Sequence, residues 1–286
     1  MIRSSLEVYD IATGQVRVIF QTGDLIEAPN WDPLGGGFLV NGGGRLFRVP
    51  WDGSRLVAVD TGGLQRCNND HGFSPDGTQI AFSCHREGGA EIFVMPAVGG
   101  EARVVSPRAP SWFHGWSPDG GAIVYAAARG ERRGVDICIL PLGGEERQLT
   151  AGEGHSDGPE FSADGRLIYY NCDRGGQAQI WVMAADGAGQ RQLFADDQVN
   201  WFPHPSPCGR HVLYLAYPAG MQGHPRDMAV ALCLMDPDGG NRRRVVAFTG
   251  GRGTGGQGTG GQGTINVASW APDGSAFAYM RYGVAG

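Results

Sequence analysis

The chain has no run approaching the ~20 apolar residues that a membrane-spanning helix needs. Its first ten residues, Met1 to Asp10 (MIRSSLEVYD), lack the apolar core of a signal peptide. Basic blocks are also scarce. Apart from Arg242-Arg243-Arg244 no cluster of cationic side chains appears, the formal net charge is −6 and the sequence pI is about 5.6. Nucleic acid and anionic membrane surfaces are therefore not expected partners. No CxxC occurs, and the six cysteines at 67, 84, 138, 172, 208 and 233 show no disulfide framework. Cys84 and Cys172 instead share one place in two repeats, as do Cys138 and Cys233, which suits small apolar residues packed at equivalent positions. Reduced cysteines without a leader predict a cytoplasmic location. Neither HxH nor HExxH is present, so no local metal motif stands out.

What is abundant is glycine, with 49 residues, joined by 17 prolines that punctuate short apolar runs. That composition fits an all-β repeat protein and argues against helices. The stretch Phe73 to Ser106 shows the unit. Ile80-Ala81-Phe82-Ser83-Cys84, Glu91-Ile92-Phe93-Val94-Met95 and Ala102 to Ser106 read as three strands, and a fourth should precede Phe73. Ser74-Pro75-Asp76-Gly77 is a tight turn, in which Pro75 presets φ and Gly77 takes the left-handed position.

The turn recurs as Asp32-Pro33-Leu34-Gly35, Ser117-Pro118-Asp119-Gly120, Ser162-Ala163-Asp164-Gly165, Ser206-Pro207-Cys208-Gly209 and Ala271-Pro272-Asp273-Gly274. Successive turn glycines are 42, 43, 45, 44 and 65 residues apart. A third-strand pattern recurs in register, as Arg45 to Val49, Glu91 to Met95, Asp136 to Leu140, Gln179 to Met183 and Ala231 to Met235. About four strands per ~40–45-residue period is the signature of a propeller blade. The N-terminus supplies only a third and a fourth strand (Leu6 to Asp10 and Val16 to Phe20), and the C-terminus only a first and a second. The ends therefore complete one blade together, which removes the open sheet edge.

The expected fold is one all-β domain, 1–286: a six-bladed β-propeller of four-stranded antiparallel blades, its ring closed by N-terminal strands completing the last blade. The blades are expected near 27–61, 69–106, 112–150, 157–195, 201–248, and 266–282 plus 5–20. The fifth carries an insertion, Ala216 to Met228. The Gly/Thr/Gln-rich stretch 249–264 is expected to be a flexible loop.

The repeated [FW]-S-P-D-G turn followed by an I-[FW]-V-M strand resembles the TolB-type, WD-like propeller repeats, also found in prolyl oligopeptidase-like enzymes and oligogalacturonate lyases. The resemblance covers essentially the whole chain and implies the fold; many activities sit on this scaffold. It would also imply a periplasmic protein with a further N-terminal domain, features the sequence is not expected to share. A hydrolase domain with its nucleophile elbow is not expected either.

In a propeller, the loops entering the first strands and those joining second to third strands open on one face, around the central channel. Aligning backwards from the turn glycines places Glu27, Asn69, Asp70, His71, Trp112, His114, Asp157, Glu160, Trp201, His204 and Asn266 at that mouth, with His155 just before Asp157. The second-to-third loops add His85, Arg86, Arg129, Asp173, Arg174, Tyr217, His224 and Arg226. The turn aspartates are caps, and Trp31, Trp116 and Trp270, in register with Phe73 and Phe161, are wedges between blades. Trp112 and Trp201 lie outside that series, where an aromatic plate could stack on a sugar ring. Arg86 and Arg174 are equally suited to bridging blades and to gripping a carboxylate.

The candidate ligand-binding set is thus Glu27, Asp70, His71, Arg86, Trp112, His114, Arg129, His155, Asp157, Arg174, Trp201, His204 and Asn266. Interleaved imidazoles and carboxylates suit a transition metal or acid–base work. His71, His114 and His204 are the candidate ligands of a divalent metal ion, and His114, His204 and Asp157 the candidate catalytic groups. No metal triad of the lyases maps onto these positions residue by residue. Two functions are expected in order: a module binding a sugar, a sugar acid or a protein segment at the channel mouth, then a cytoplasmic lyase or hydrolase acting on sugar acids or related small carbohydrates. A regulatory propeller docking on another protein is the third.

Overall fold

The computed structural model describes residues 3–130, 134–152, 154–249 and 258–283. Within them every regular element is a strand. The chain begins with β1 (Ser4–Asp10) and β2 (Val16–Thr22) and then lays down blades in sequence. The first is β3 (Glu27–Trp31), β4 (Gly37–Gly42), β5 (Arg45–Pro50) and β6 (Val57–Ala58). The second is β7 (Cys67–Phe73), β8 (Gln79–Arg86), β9 (Gly89–Pro96) and β10 (Arg103–Val104). The third is β11 (Ser111–Trp116), β12 (Ala122–Ala127), β13 (Asp136–Pro141) and β14 (Arg147–Gln148). The fourth is β15 (Ser156–Phe161), β16 (Leu167–Cys172), β17 (Gln179–Ala184) and β18 (Arg191–Gln192). The fifth is β19 (Val199–Pro205), β20 (Val212–Tyr217), β21 (Val230–Met235) and β22 (Arg243–Phe248). All five are antiparallel meanders.

The sixth blade joins the two ends of the chain. β23 (Ala276–Tyr282) pairs with β1, from Ser4 opposite Tyr282 to Asp10 opposite Ala276, and β1 pairs with β2. Its innermost segment is reduced to a single bridge between Trp270 and Phe277. A buried polar latch holds the closure. Glu7 accepts hydrogen bonds from Tyr279 Oη at 2.5 Å and from Arg281 Nε at 3.0 Å.

The repeated turns behave as their residues dictate. In the second blade Ser74 Oγ donates to Asp76 at 2.6 Å and accepts from the Gln79 amide at 3.0 Å, while Gly77, at φ +71°, meets the Ser74 carbonyl. Two of the expected wedge residues bridge to the preceding blade. Trp116 Nε1 donates to the Gly72 carbonyl of the preceding blade and Trp270 Nε1 to that of His204. Each such buried aromatic contributes roughly 1.5–3 kcal/mol through lost apolar surface.

Two departures from the repeat lock together above one end of the channel. In the connection from β20 to β21 the Pro225 carbonyl accepts from Tyr217 Oη at 3.0 Å, and Met228 bridges Gly260. The stretch 249–264 was expected to be flexible. Residues 250–257 lie outside the described residues, whereas 258–264 are packed: Thr259 bridges Tyr282, and Thr264 is fully buried. Glycine makes this approach feasible, since a Cβ on Gly261 would meet the Pro225 carbonyl oxygen at 2.2 Å.

Candidate functional site

Each of the five inner strands β3, β7, β11, β15 and β19 carries a register irregularity near its entrance end. In three of them a residue at the same register adopts positive φ: Ala28 at 53°, Gly158 at 59° and Phe202 at 54°. Such bulges re-aim side chains and interrupt pairing, and they recur beside functional sites. Here they turn polar residues toward the channel mouth, where a cavity of about 330 Å³ opens.

Asp157 on β15 is the hub of that cavity. His114 Nε2, from the neighbouring blade, lies 3.0 Å from Asp157 Oδ1. His155 Nε2 sits 3.5 Å from Oδ2, and His224 Nε2, delivered by the insertion, 3.9 Å from the same oxygen. Burial opposes ionisation of Asp157, but the His114 hydrogen bond and the attraction of His155 outweigh it, and the carboxyl is held well below its usual range. His114 shows the converse. Burial disfavours its imidazolium, yet Asp157, Asp70 and Glu160 together raise its pKa, and His155 is raised against burial by Asp157 in the same way. Burial lowers His224.

A second carboxyl faces this group. Asp70 on β7 accepts from Asn266 Nδ2 at 2.6 Å and from Asn68 Nδ2. Burial pushes its pKa up to about 6, against the pull of His114. Trp112 and His85 complete the polar rim, and Gln262 closes it from the connection between β22 and the sixth blade. The imidazoles are braced by aromatic rings: His224 stands edge-on to Trp201 at 4.5 Å and to Phe202 at 5.0 Å, and His114 stacks on Phe202 at 6.2 Å. Asp173 Oδ1 accepts from the His155 amide at 2.6 Å and so fixes that residue.

Asp70, Trp112, His114, His155, Asp157 and Asn266 of the expected set come together in this cavity. The others do other work. Trp201 is 4% exposed, part of the fifth blade's core, and is a brace rather than a stacking plate. Arg129 is buried and bidentate on Glu146, with Nη2 at 2.6 Å, and also bonds the Pro110 carbonyl and Ser111. Arg174 lies 3.6 Å over the Trp181 ring and bonds Gln190 at 3.0 Å, while Arg86 faces outward beside Glu91 at 3.5 Å. Glu27 lies outside the cavity, 3.6 Å from Arg226.

The expected metal triad is corrected. Among the described residues no three His, Cys, Asp or Glu side chains are placed to hold a metal ion. His204 has both ring nitrogens engaged, Nδ1 with Glu160 Oε1 at 2.6 Å and Nε2 donating to the Ile265 carbonyl. It is a strut of the channel wall. His71 faces a second chamber of about 350 Å³ at the turn end, ringed by Trp31, Phe73, Trp116, Phe161 and Trp270. Burial pushes its pKa down to about 4, so it is neutral there. The expected absence of a nucleophile elbow also needs qualifying. Gly154-His155-Ser156-Asp157-Gly158 has the G-x-S-x-G spacing, but Ser156 is buried at the head of β15, opposite Cys172, with no helix following.

Sequence reasoning did not single out Asn68, Val135, Phe202 and Gln262 in the lining. Asn68 was legible, adjoining Asn69 and Asp70 at the entrance. Gln262 carries no signal within its low-complexity stretch, and Phe202 enters through a bulge that side-chain periodicity does not reveal.

The profile of the TolB beta propeller domain matches residues 108–231. An uncharacterised protein of Agrobacterium fabrum is 43% identical over 283 residues, covering 98% of this chain and 92% of its own. A solved structure from Agrobacterium tumefaciens, provisionally named a TolB, superposes with TM-score 0.92 at 43% identity and 99% coverage of both chains. The Tol-Pal system protein TolB of Anaeromyxobacter dehalogenans is 30% identical over 133 residues, 44% of this chain and 29% of that protein.

Proposed function

This chain belongs to the TolB-type β-propeller family, and we propose that it is a binding module whose entrance cavity takes a small, uncharged, hydroxylated ligand of sugar size. The observation that carries this reading is the charge arrangement around Asp157. Its carboxylate is already matched by His114, with His155 and His224 near, so an occupant need bring no charge of its own. The chain contains no lysine; all 23 of its Lys/Arg cations are arginines, and no described arginine lines the cavity. A carboxylate ligand would meet no guanidinium there.

The remaining lining groups suit hydroxyls. Asn68, Asn69, Asn266, Gln262 and His85 offer donors and acceptors, His155 offers N–H donors, and Trp112 offers a ring face. The cavity volume lies at the low end for small-molecule sites. The alternative, a metal-dependent enzyme on sugar acids, needs an arginine and a ligand triad that these residues do not assemble. Isothermal titration of the whole chain with D-glucose, D-galactose and myo-inositol, beside D-glucuronate and D-galacturonate, tests the reading. Binding of a neutral compound, lost in Asp157→Asn, is expected; preference for a uronate would overturn it.

A further inference from the structure

Cys67 opens β7 and Cys84 lies directly opposite it on β8. The His85 amide donates to the Arg66 carbonyl at 3.0 Å. That bond identifies 67/84 as a non-hydrogen-bonded antiparallel pair, where Cα atoms approach to about 4.5 Å and side chains lie closest. A disulfide requires a Cα separation of roughly 4.4–6.8 Å. The same backbone pattern recurs in the next two blades, from Ala128 to Pro110 and from Asp173 to His155, each at 3.3 Å. The facing residues there are Ser111 with Ala127 and Ser156 with Cys172. Of these three equivalent sites, only that of the second blade holds a cysteine on both strands.

We propose that Cys67 and Cys84 form a reversible cross-strand disulfide by exchange with a low-molecular-weight disulfide of the glutathione type. One cysteine sulfur attacks the external disulfide, forms a mixed disulfide and releases one thiol. The second cysteine sulfur then attacks the protein-bound sulfur of that mixed disulfide, closing the internal bond and releasing the second thiol. The two cysteine protons pass to the two released thiols, and the two electrons lost by the cysteines reduce the external disulfide. Burial and the nearness of Cys84 push the Cys67 thiol well up, so the first step requires opening of the strand end. Residues 62, 63, 65 and 66, which lead into β7, are exposed and provide that opening. The bond would tie down the bulge bearing Asn68 and Asp70, and His85 beside Cys84. It does not depend on the ligand reading.

Trypsin cuts after Arg66 and Arg86, so both cysteines fall in one peptide, 67–86, with no other cysteine. The full chain is equilibrated with glutathione disulfide, alkylated, digested and weighed. Cys208 is the internal reference: burial opposes its ionisation, but Ser206 and Arg210 hold its thiol below the ordinary value. The expected result is a 67–86 peptide lacking both alkyl groups and lighter by two hydrogens, restored by dithiothreitol and absent in Cys84→Ser. Refolding the chain from denaturant in the same buffer removes access as a limit. Separate alkyl groups or glutathione adducts on Cys67 and Cys84 in that refolded sample, while Cys208 has reacted, would overturn the proposal.

Discussion

His114 and Asp157, on the inner strands of adjacent blades, meet at 3.0 Å across the channel mouth, with only 4% and 14% of their side chains exposed. Neither residue would hold its charge at such depth alone. The contact joins two blades and polarises the cavity at once, so it links the stability of the ring to the chemistry of its mouth.

Asp157→Asn is expected to destabilise the chain by roughly 3 kcal/mol near pH 6, since it strands a buried imidazolium. The deficit has a defined pH dependence. His114 is raised above 6.5, so its share is complete below that value and is lost as pH rises through the higher, folded-state pKa. Asp157 is lowered below 3.8, so its share is present above that value and is lost as pH falls through the folded-state pKa. Urea unfolding at pH 6 and pH 9 should show the wild-type advantage shrinking at the alkaline pH.

The Asp70 carboxyl should titrate near pH 6 in carbon-detected NMR, against an ordinary 3.8. The stability it contributes as a neutral acid is full below the ordinary value and is lost as pH rises through about 6. Asn266→Ala removes a donor to the charged form and is expected to move the midpoint higher still.

The blade periodicity of the sequence was sufficient for the architecture, because each Ser-Pro-Asp-Gly turn and each third strand is a local signal that repeats. Ser74 with Asp76 and Gly77 at positive φ needs nothing beyond its own neighbours. The site was legible only in part. Register alone drew Asp70, His114 and Asp157 to one mouth, but it could not separate His114, which meets Asp157 in the entrance cavity and also borders the turn-end chamber, from His71, which lines only the turn-end chamber. Those directions depend on the bulges in β7 and β11, and bulges arise from pairing across strands rather than from residue type. The arginines were ambiguous for a related reason. The Glu146 that claims Arg129 lies across the sheet, 17 residues away.

Arginine substitutions separate structure from recognition. Arg129→Ala leaves Glu146 and Tyr125 facing each other without the guanidinium and should cost roughly 3 kcal/mol in denaturant unfolding. Arg86→Ala, at a side chain 57% exposed, should change stability by less than about 0.5 kcal/mol.

Glu7 adds a side-chain latch to the β1–β23 ladder that closes the ring. Glu7→Ala removes the carboxylate that accepts from Arg281 and from the Tyr279 hydroxyl and is expected to lower stability by roughly 3 kcal/mol, whereas Tyr279→Phe removes one charged hydrogen bond and should cost about 1.5–3 kcal/mol. Thermal unfolding of both variants gives the order directly.

The proposed occupant of the entrance cavity is an uncharged, hydroxylated ligand. The most direct measurement is the imidazole NMR spectrum of histidine-labelled protein during titration with D-glucose, D-galactose and myo-inositol. At least one of these compounds is expected to shift His155 and His224, which line the cavity, and to leave His71 and His204 unmoved. Shifts confined to His71 or His204, or no shift with any of the three compounds, would contradict it.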